Sequence, residues 1–423
     1  MKRVLIISPY FSPANTADMQ RIRMSLPYFE NFGWDAEVVT VEDEYIDTVK
    51  DPLLLQSIPN KVKIHRVKAL SKKWTSKLGL GNLALRSLWF YRNKVNELLK
   101  KETFDLIYFS TTAFPICILG AYWKKKHGIP YVIDMQDPWH TDYYQSKTKK
   151  ERPKKYWFSY RLNKYLEPIA MKSVDGLISV SANYIDTLKV RYPYLKDKPS
   201  AVITFGAFDL DFKIATINGS NLKIRFDSSH INLVYVGRGG YDLHPALNTL
   251  FTFFKKGLEL NPIVFKKIRM HFIGTSYAPR GKGEHTILPM AQRFNILPFV
   301  HEQTDRIGFY DSINCLQQAD GLLIIGSNQA AYTASKLYPY ILAKKPLLAV
   351  LHQASSATQI IKDCNAGYHL DIDANENSAF DQLNEYLQNV VQKLIPQTNW
   401  KAFQPYTASA MTKEQVNLFN KVI

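Results

Sequence analysis

The chain has 423 residues, 46% of them apolar and 22% charged, with 54 Lys+Arg against 37 Asp+Glu for a net charge of +17. That length fits two domains at roughly 100–200 residues each, and the composition excludes a largely disordered chain. No run approaches the ~20 apolar residues of a membrane-spanning helix, and the opening Met1-Lys-Arg-Val-Leu-Ile-Ile-Ser8 is too short in its apolar part for a secretory leader, so it reads as the first strand of a cytoplasmic protein.

Apolar runs at 4–8, 37–40, 62–67, 104–110, 131–134, 176–180 and 201–204 read as strands. Between them, 16–31, 82–101, 115–127 and 156–173 repeat apolar residues at helical spacing. Near-continuous apolar strands alternating with helices predict a parallel α/β sheet over 1–205. Residues 206–230, rich in Asp, Asn, Gly and Ser, read as a linker. The alternation restarts over 231–395, with strands at 231–237, 270–274, 321–326 and 347–351. Helices are expected at 243–260, 286–294, 309–318, 334–343, 357–364 and 378–394. Residues 396–423 form a tail with a final helix at 412–422, free to pack back on the first domain. Cys117, Cys315 and Cys364 are odd in number and far apart, which argues against a disulfide framework or a cysteine zinc site.

The charge is concentrated. Window 61–101 holds twelve Lys/Arg against Glu97 alone, and window 147–172 holds nine against Glu151 and Glu167. Both mix the cations with Trp, Tyr, Phe and Leu, the pattern of an interfacial segment that meets an anionic membrane. The plainer alternatives are a solvated basic face or a nucleic-acid surface.

Two strand–loop–helix junctions stand out in the second half. In Val234-Tyr-Val-Gly-Arg-Gly-Gly-Tyr241, a strand ends at Gly237 and Arg238, Gly239 and Gly240 make a turn before a helix. Its N–H groups can cradle an anion and Arg238 can clamp a diphosphate. A plain tight turn would look the same. After the strand ending at Gly326, Thr333, Ser335 and Lys336 open a helix with hydroxyls and a point charge suited to phosphate. In the first half, Asp134-Met-Gln-Asp-Pro-Trp-His140 follows the fifth strand. Asp137 and His140 are the acid–base candidates there, the alternative for Asp137 being a turn residue before proline. Asp209-Leu-Asp211 and Asp371-Ile-Asp373 match a metal-binding Asp-x-Asp pattern by chance composition rather than context, so no metal is expected.

In this order and spacing the motifs resemble those of GT-B-fold glycosyltransferases of the family 4 kind. Ile6-Ile-Ser-Pro-Tyr-Phe-Ser-Pro13 with Arg21 is similar to that group's first strand, loop and helix, and Asp134-Met-Gln-Asp-Pro-Trp139 to its D-x-R-D-P-W stretch, with Gln136 for Arg. Ser335-Lys-Leu-Tyr338 through Lys345-Pro-Leu-Leu-Ala349 resembles the donor helix, with Pro339 and Ala331 where the group carries a pair of glutamates. Asn15-Thr16 stands where a glycine pair is usual, and Leu243 or His244 where a lysine is.

The resemblance implies two Rossmann-like domains facing each other across a cleft. The second would bind a nucleotide-sugar donor through Gly237, Arg238, Gly239, Gly240, Gly274, Thr333, Ser335 and Lys336. The first would hold a glycan or lipid-linked acceptor, with Asp137 and His140 catalytic and Asn15 and Arg21 meeting the acceptor or the other domain. The expected activity is metal- and cofactor-independent sugar transfer at the inner face of a membrane. The competing readings are a sugar-nucleotide-binding protein without catalysis, a nucleotide-sugar epimerase of the same fold, and an enzyme acting on nucleic acid.

Overall fold

The computed structural model describes residues 1–145, 147–149, 152, 155–327, 336–373 and 376–423. The chain forms two compact units, one of Met1–Gly206 with Ala408–Ile423 and one of Ala207–Thr407.

The first unit is built on a seven-stranded sheet. Its strands are β1 (Lys2–Ile7), β2 (Trp34–Val41), β3 (Ile64–Val67), β4 (Leu106–Ser110), β5 (Tyr131–Met135), β6 (Gly176–Ser179) and β7 (Ser200–Val202). All pair in parallel in the order β3-β2-β1-β4-β5-β6-β7. Val4–Ile7 and Leu106–Phe109 are fully buried, as strands covered on both faces must be. The helix Leu83–Lys101 starts where the Asn82 side chain caps Ala84 N–H, and it turns Tyr91, Val95 and Leu98 into the core. The helix Ala408–Val422 belongs to this unit, with Phe419 packed against Phe29, Trp34 and Tyr108.

The second unit has six parallel strands in the order β10-β9-β8-β11-β12-β13. They are β8 (Ile231–Val236), β9 (Ile268–Ile273), β10 (Val300–Gln303), β11 (Gly321–Ile325), β12 (Leu347–Leu351) and β13 (Tyr368–Asp371). The helix His244–Leu260 covers the sheet with Leu247, Leu250, Phe251 and Phe254. In both sheets the strand order reverses beside the first strand, at β1/β4 and at β8/β11, the place where such sheets bind ligands.

Three expectations need correction. Residues 207–230 are not a linker: they belong to the second unit and contain the helix Asp209–Ile217, which packs on Phe309–Gln318. Tyr310 Oη donates to Asp211 Oδ1 at 2.9 Å, and Gln317 Nε2 donates to Thr216 Oγ1 at 2.8 Å. The tail divides: 396–407 lie with the second unit and 408–423 with the first. β10, β13 and the helix Ala182–Arg191 are additional elements.

Candidate active site

At the carboxyl ends of β8 and β9 the second unit has a cavity of about 380 Å³. Val236, Gly237 and Arg238 line it from the end of β8, Gly274 and Tyr277 from the end of β9, Arg306 and Phe309 from beyond β10, and Lys336, Pro339 and Tyr340 from beyond β11. Among the described residues none of the lining side chains is acidic, and three are permanent or near-permanent cations. The predicted glycine turn is present. Gly237 has φ +152°, and a Cβ there would collide with Lys336 Nζ. The glycine thus allows the lysine to lie directly against the backbone. Lys336 Nζ donates to Tyr235 Oη at 2.8 Å and sits 4.3 Å from that ring's centre. Tyr235 Oη in turn donates to the Arg238 carbonyl at 2.7 Å. Burial pushes the Tyr235 hydroxyl well up, so it stays a neutral donor beside the lysine.

Arg238 does not present an empty fork. Its Nη1 and Nη2 donate to Asp242 Oδ1 and Oδ2 at 2.9 and 2.6 Å, and the pair holds the Asp242 carboxyl below the usual range. Arg306 stacks 4.9 Å over the Tyr277 ring, with no acidic partner among the described residues. Gly239 is buried against Thr275 and Thr286, and Gly240 lies beside the Arg238–Asp242 pair. Gly274 adopts φ +75°, and a Cβ there would meet Arg306 Cα at 3.8 Å, an ordinary contact. Thr333 and Ser335 lie outside the described residues. The Asp-x-Asp pairs are used locally: Asp211 accepts from Tyr310, Asp209 pairs with Lys213 at 3.3 Å, and Asp371 accepts from the Asp373 N–H.

In the first unit the polar candidates gather at the carboxyl ends of β4 and β5. Arg21, one of the two residues expected to meet the acceptor or the other domain, is fully buried. Its Nε donates to Asp134 Oδ2 at 2.7 Å and its Nη atoms to the carbonyls of Thr204 and Ile203 at 3.2 and 2.8 Å. Its role is to tie the helix Gln20–Ser25 to β5 and to the segment after β7. Gln136 extends the network, donating to Asp134 Oδ2, Ser110 Oγ and the Asp18 carbonyl at 2.8, 3.0 and 3.1 Å. Asp18 accepts from the Thr111 and Thr112 hydroxyls, both at 3.2 Å.

Asp137 stands clear of that network and open to water. The atoms crowded around it, and secondarily the Asp18 charge, raise its carboxyl above the ordinary carboxylate range. His140 is 8% exposed, and neither ring nitrogen has a hydrogen-bond partner among the described residues. Its backbone N–H donates to buried Glu167 at 3.0 Å, and Tyr160 lies 4.7 Å from its ring. Desolvation, then the Arg191 charge, lowers its pKa, so the imidazole is held neutral. Asn15 is half-buried and donates its backbone N–H to the Val49 carbonyl at 2.8 Å.

Arg306, Tyr277, Tyr235 and Asp242 escaped the sequence reading. Arg306 follows β10, the strand the alternation did not reveal. The others carried no signal beyond their proximity to Gly237 and Gly274.

No curated protein matches the chain in sequence. Residues 59–206 match the family model for Glycosyltransferase Family 4. Among solved structures, sucrose-phosphate synthase of Thermosynechococcus elongatus is similar with a TM-score of 0.60 and 12% identity, over 100% of this chain and 99% of that one. HepE of Anabaena in complex with UDP matches at 0.57 and 14% over 100% of both chains. The UDP-forming α,α-trehalose-phosphate synthase of Burkholderia xenovorans matches at 0.58 and 12%, over 100% and 99%. Residues 59–206 thus resemble Glycosyltransferase Family 4, and the chain shares along its whole length the two-sheet GT-B fold of these solved structures.

Proposed function

We propose that the protein transfers a sugar from a nucleoside diphosphate sugar, held by the second unit, to a glycan or lipid-linked acceptor held by the first. The observation that carries this is the cavity at the carboxyl ends of β8 and β9, which Arg238, Arg306 and Lys336 line without an acidic side chain among the described residues. The Gly237 and Gly239 N–H groups donate to the Ile273 and Thr275 carbonyls at 2.9 and 2.8 Å, so it is the three cations that suit a bound diphosphate. The same groups stabilise the charge that develops on it as the glycosidic bond breaks, the role a metal ion plays elsewhere. HepE of Anabaena, of the same fold, is described in complex with UDP and with UDP-glucose, which supports a uridine donor. Asp137, water-exposed and raised in pKa, is the group proposed to receive the acceptor hydroxyl's proton. Neutral His140, three residues on, is proposed as the second acid–base group, its buried ring nitrogens having no hydrogen-bond partner among the described residues. The acceptor is proposed to be a membrane-borne glycan precursor, for which the basic, aromatic windows of the first unit argue.

Titration calorimetry with UDP and UDP-glucose in the presence of EDTA tests the donor half. Saturable binding that chelator leaves unchanged is expected. Absence of binding by any nucleoside diphosphate overturns the reading, and transfer that stops in EDTA and returns with Mg²⁺ or Mn²⁺ overturns metal independence.

A further inference from the structure

The two basic windows, well separated in the chain, meet in space. Lys155 Nζ donates to the Ser76 carbonyl at 2.8 Å. The Phe158 ring lies against Gly79, its Cε1 3.0 Å from where a Cβ would stand, and Gly79 adopts φ +79°, a conformation that favours glycine. This join brings the turn that follows the short helix Lys72–Thr75 beside the first turn of the helix Tyr156–Met171.

What the join presents to water is unusual. Trp74 is 68% exposed, Leu78 74% and Trp157 65%. The helix carries Trp157, Arg161 and Tyr165 at four-residue spacing, and Arg161 and Tyr165 are exposed with it. Each tryptophan has a cation over its ring, Lys77 at 5.0 Å from Trp74 and Arg161 at 5.8 Å from Trp157. Lys73 and Lys155 are exposed in the same segments. Scattered exposed apolar residues need no explanation, but large ones grouped with cations mark an interaction surface.

We infer that Trp74, Leu78 and Trp157 form a tip that inserts into the headgroup region of an anionic lipid bilayer, with Lys73, Lys77, Lys155 and Arg161 meeting the lipid phosphates. This inference rests on the proposed membrane-borne acceptor and deepens it. Indole rings partition to the interface, an aliphatic leucine gains by leaving water, and the flanking cations gain from the negative surface potential. A nucleic acid would use the cations and could stack on the indoles, but it offers Leu78 nothing.

The test uses the whole chain with vesicles of phosphatidylcholine alone and of phosphatidylcholine with about one-third phosphatidylglycerol, the anionic fraction being what the cations read. The wild-type protein is expected to sediment with the anionic vesicles only, and to be released by salt. The triple variant Trp74→Ser, Leu78→Ser, Trp157→Ser is expected to lose at least tenfold in vesicle affinity with UDP binding unchanged. An environment-sensitive dye on Leu78→Cys is expected to shift to the blue on vesicle addition; the three native cysteines are buried, so labelling is selective. A wild-type protein that ignores both vesicles overturns the membrane reading and the tip together. Wild-type sedimentation that the triple variant retains, with no dye shift, overturns the tip and leaves the membrane reading standing. Binding of a single-stranded oligonucleotide that survives excess anionic vesicles overturns it in favour of nucleic acid.

Discussion

The guanidinium of Arg238 is held in a two-bond fork by the carboxylate of Asp242, four residues on, at the mouth of the cavity proposed for the donor diphosphate. A carboxylate in that position is an internal anion competing with the ligand's own phosphates. Both side chains are 40% exposed, so the pair itself is weak and exchangeable. Asp242→Asn should therefore tighten UDP binding, by about three- to tenfold, because the pair is released and a like charge is removed. Arg238→Ala should weaken it, since a charge-assisted contact contributes ~1.5–3 kcal/mol. Calorimetry on the two variants decides the matter: weaker binding by Asp242→Asn would mean that the carboxylate positions the arginine rather than competes with the donor.

Gly237→Ala should act through Lys336. The added methyl group collides with Lys336 Nζ and forces a residue with a side chain to φ +152°. The lysine must leave Tyr235, and diphosphate affinity should fall by about as much as in Lys336→Ala, roughly tenfold or more. Uridine, which carries no phosphate, should bind both variants like the wild type. A Gly237→Ala protein that binds UDP normally would remove Lys336 from the donor site.

Arg21→Ala should destabilise the first unit rather than alter any binding constant. It strands the Asp134 carboxylate, which is fully buried and already has one oxygen without a partner among the described residues. Breaking a buried pair from one side costs about 3–5 kcal/mol. Denaturant unfolding of the variant should show that loss, and Asp134→Asn introduced with Arg21→Met should recover part of it. Unchanged stability with lost acceptor use would mean that Arg21 meets the acceptor, as the resemblance implies.

The pH behaviour separates Asp137 from His140. The Asp137 carboxyl is raised, so if it accepts a proton in transfer, the acidic limb of kcat/KM should lie above the ordinary aspartate range and vanish in Asp137→Asn. The His140 pKa is lowered, so in the window between its folded value and the ordinary histidine value the unfolded chain binds a proton that the folded chain does not. Stability therefore rises with pH across that window and is lost as pH falls through it. His271, lowered to about 4, and His369 add the same sign in the second unit. His140→Phe should flatten the slope of melting temperature between about pH 5 and pH 7 without abolishing it. An unaltered slope would mean that His140 does not stay neutral.

Most strands were legible because parallel strands covered on both faces leave near-continuous apolar runs, as Leu347–Leu351 does. β10 and β13 were not, because Val300-His-Glu-Gln303 and Tyr368-His-Leu-Asp371 mix in polar residues, and the buried polar Glu302 spends its carboxylate on backbone N–H groups of 286–288. The helix Asp209–Ile217 hid in a polar stretch, although Asp209 and Asp211 in its first turn are a helix-start signal. The glycine turn at 237–240 and Lys336 could be read because their chemistry is local. Arg21 could not, because its burial is decided by Asp134, 113 residues later. Asp242 falls between these cases: four residues from Arg238, its pairing is visible only once the turn brings the two side chains to the same edge.

The helix Ala408–Val422 sets the order in which the chain can be completed. Gln415 Nε2 donates to Ser25 Oγ at 2.8 Å, and Lys2 Nζ to Asn420 Oδ1 at 3.0 Å. Phe419 fills the space among Phe29, Trp34 and Tyr108. A ribosome must therefore translate the whole second unit before the first can close over its own aromatic residues. Until Phe419 has cleared the exit tunnel, Phe29, Trp34 and Tyr108 lack the ring that packs against them, and apolar surface that the finished unit buries stays open to wrong contacts.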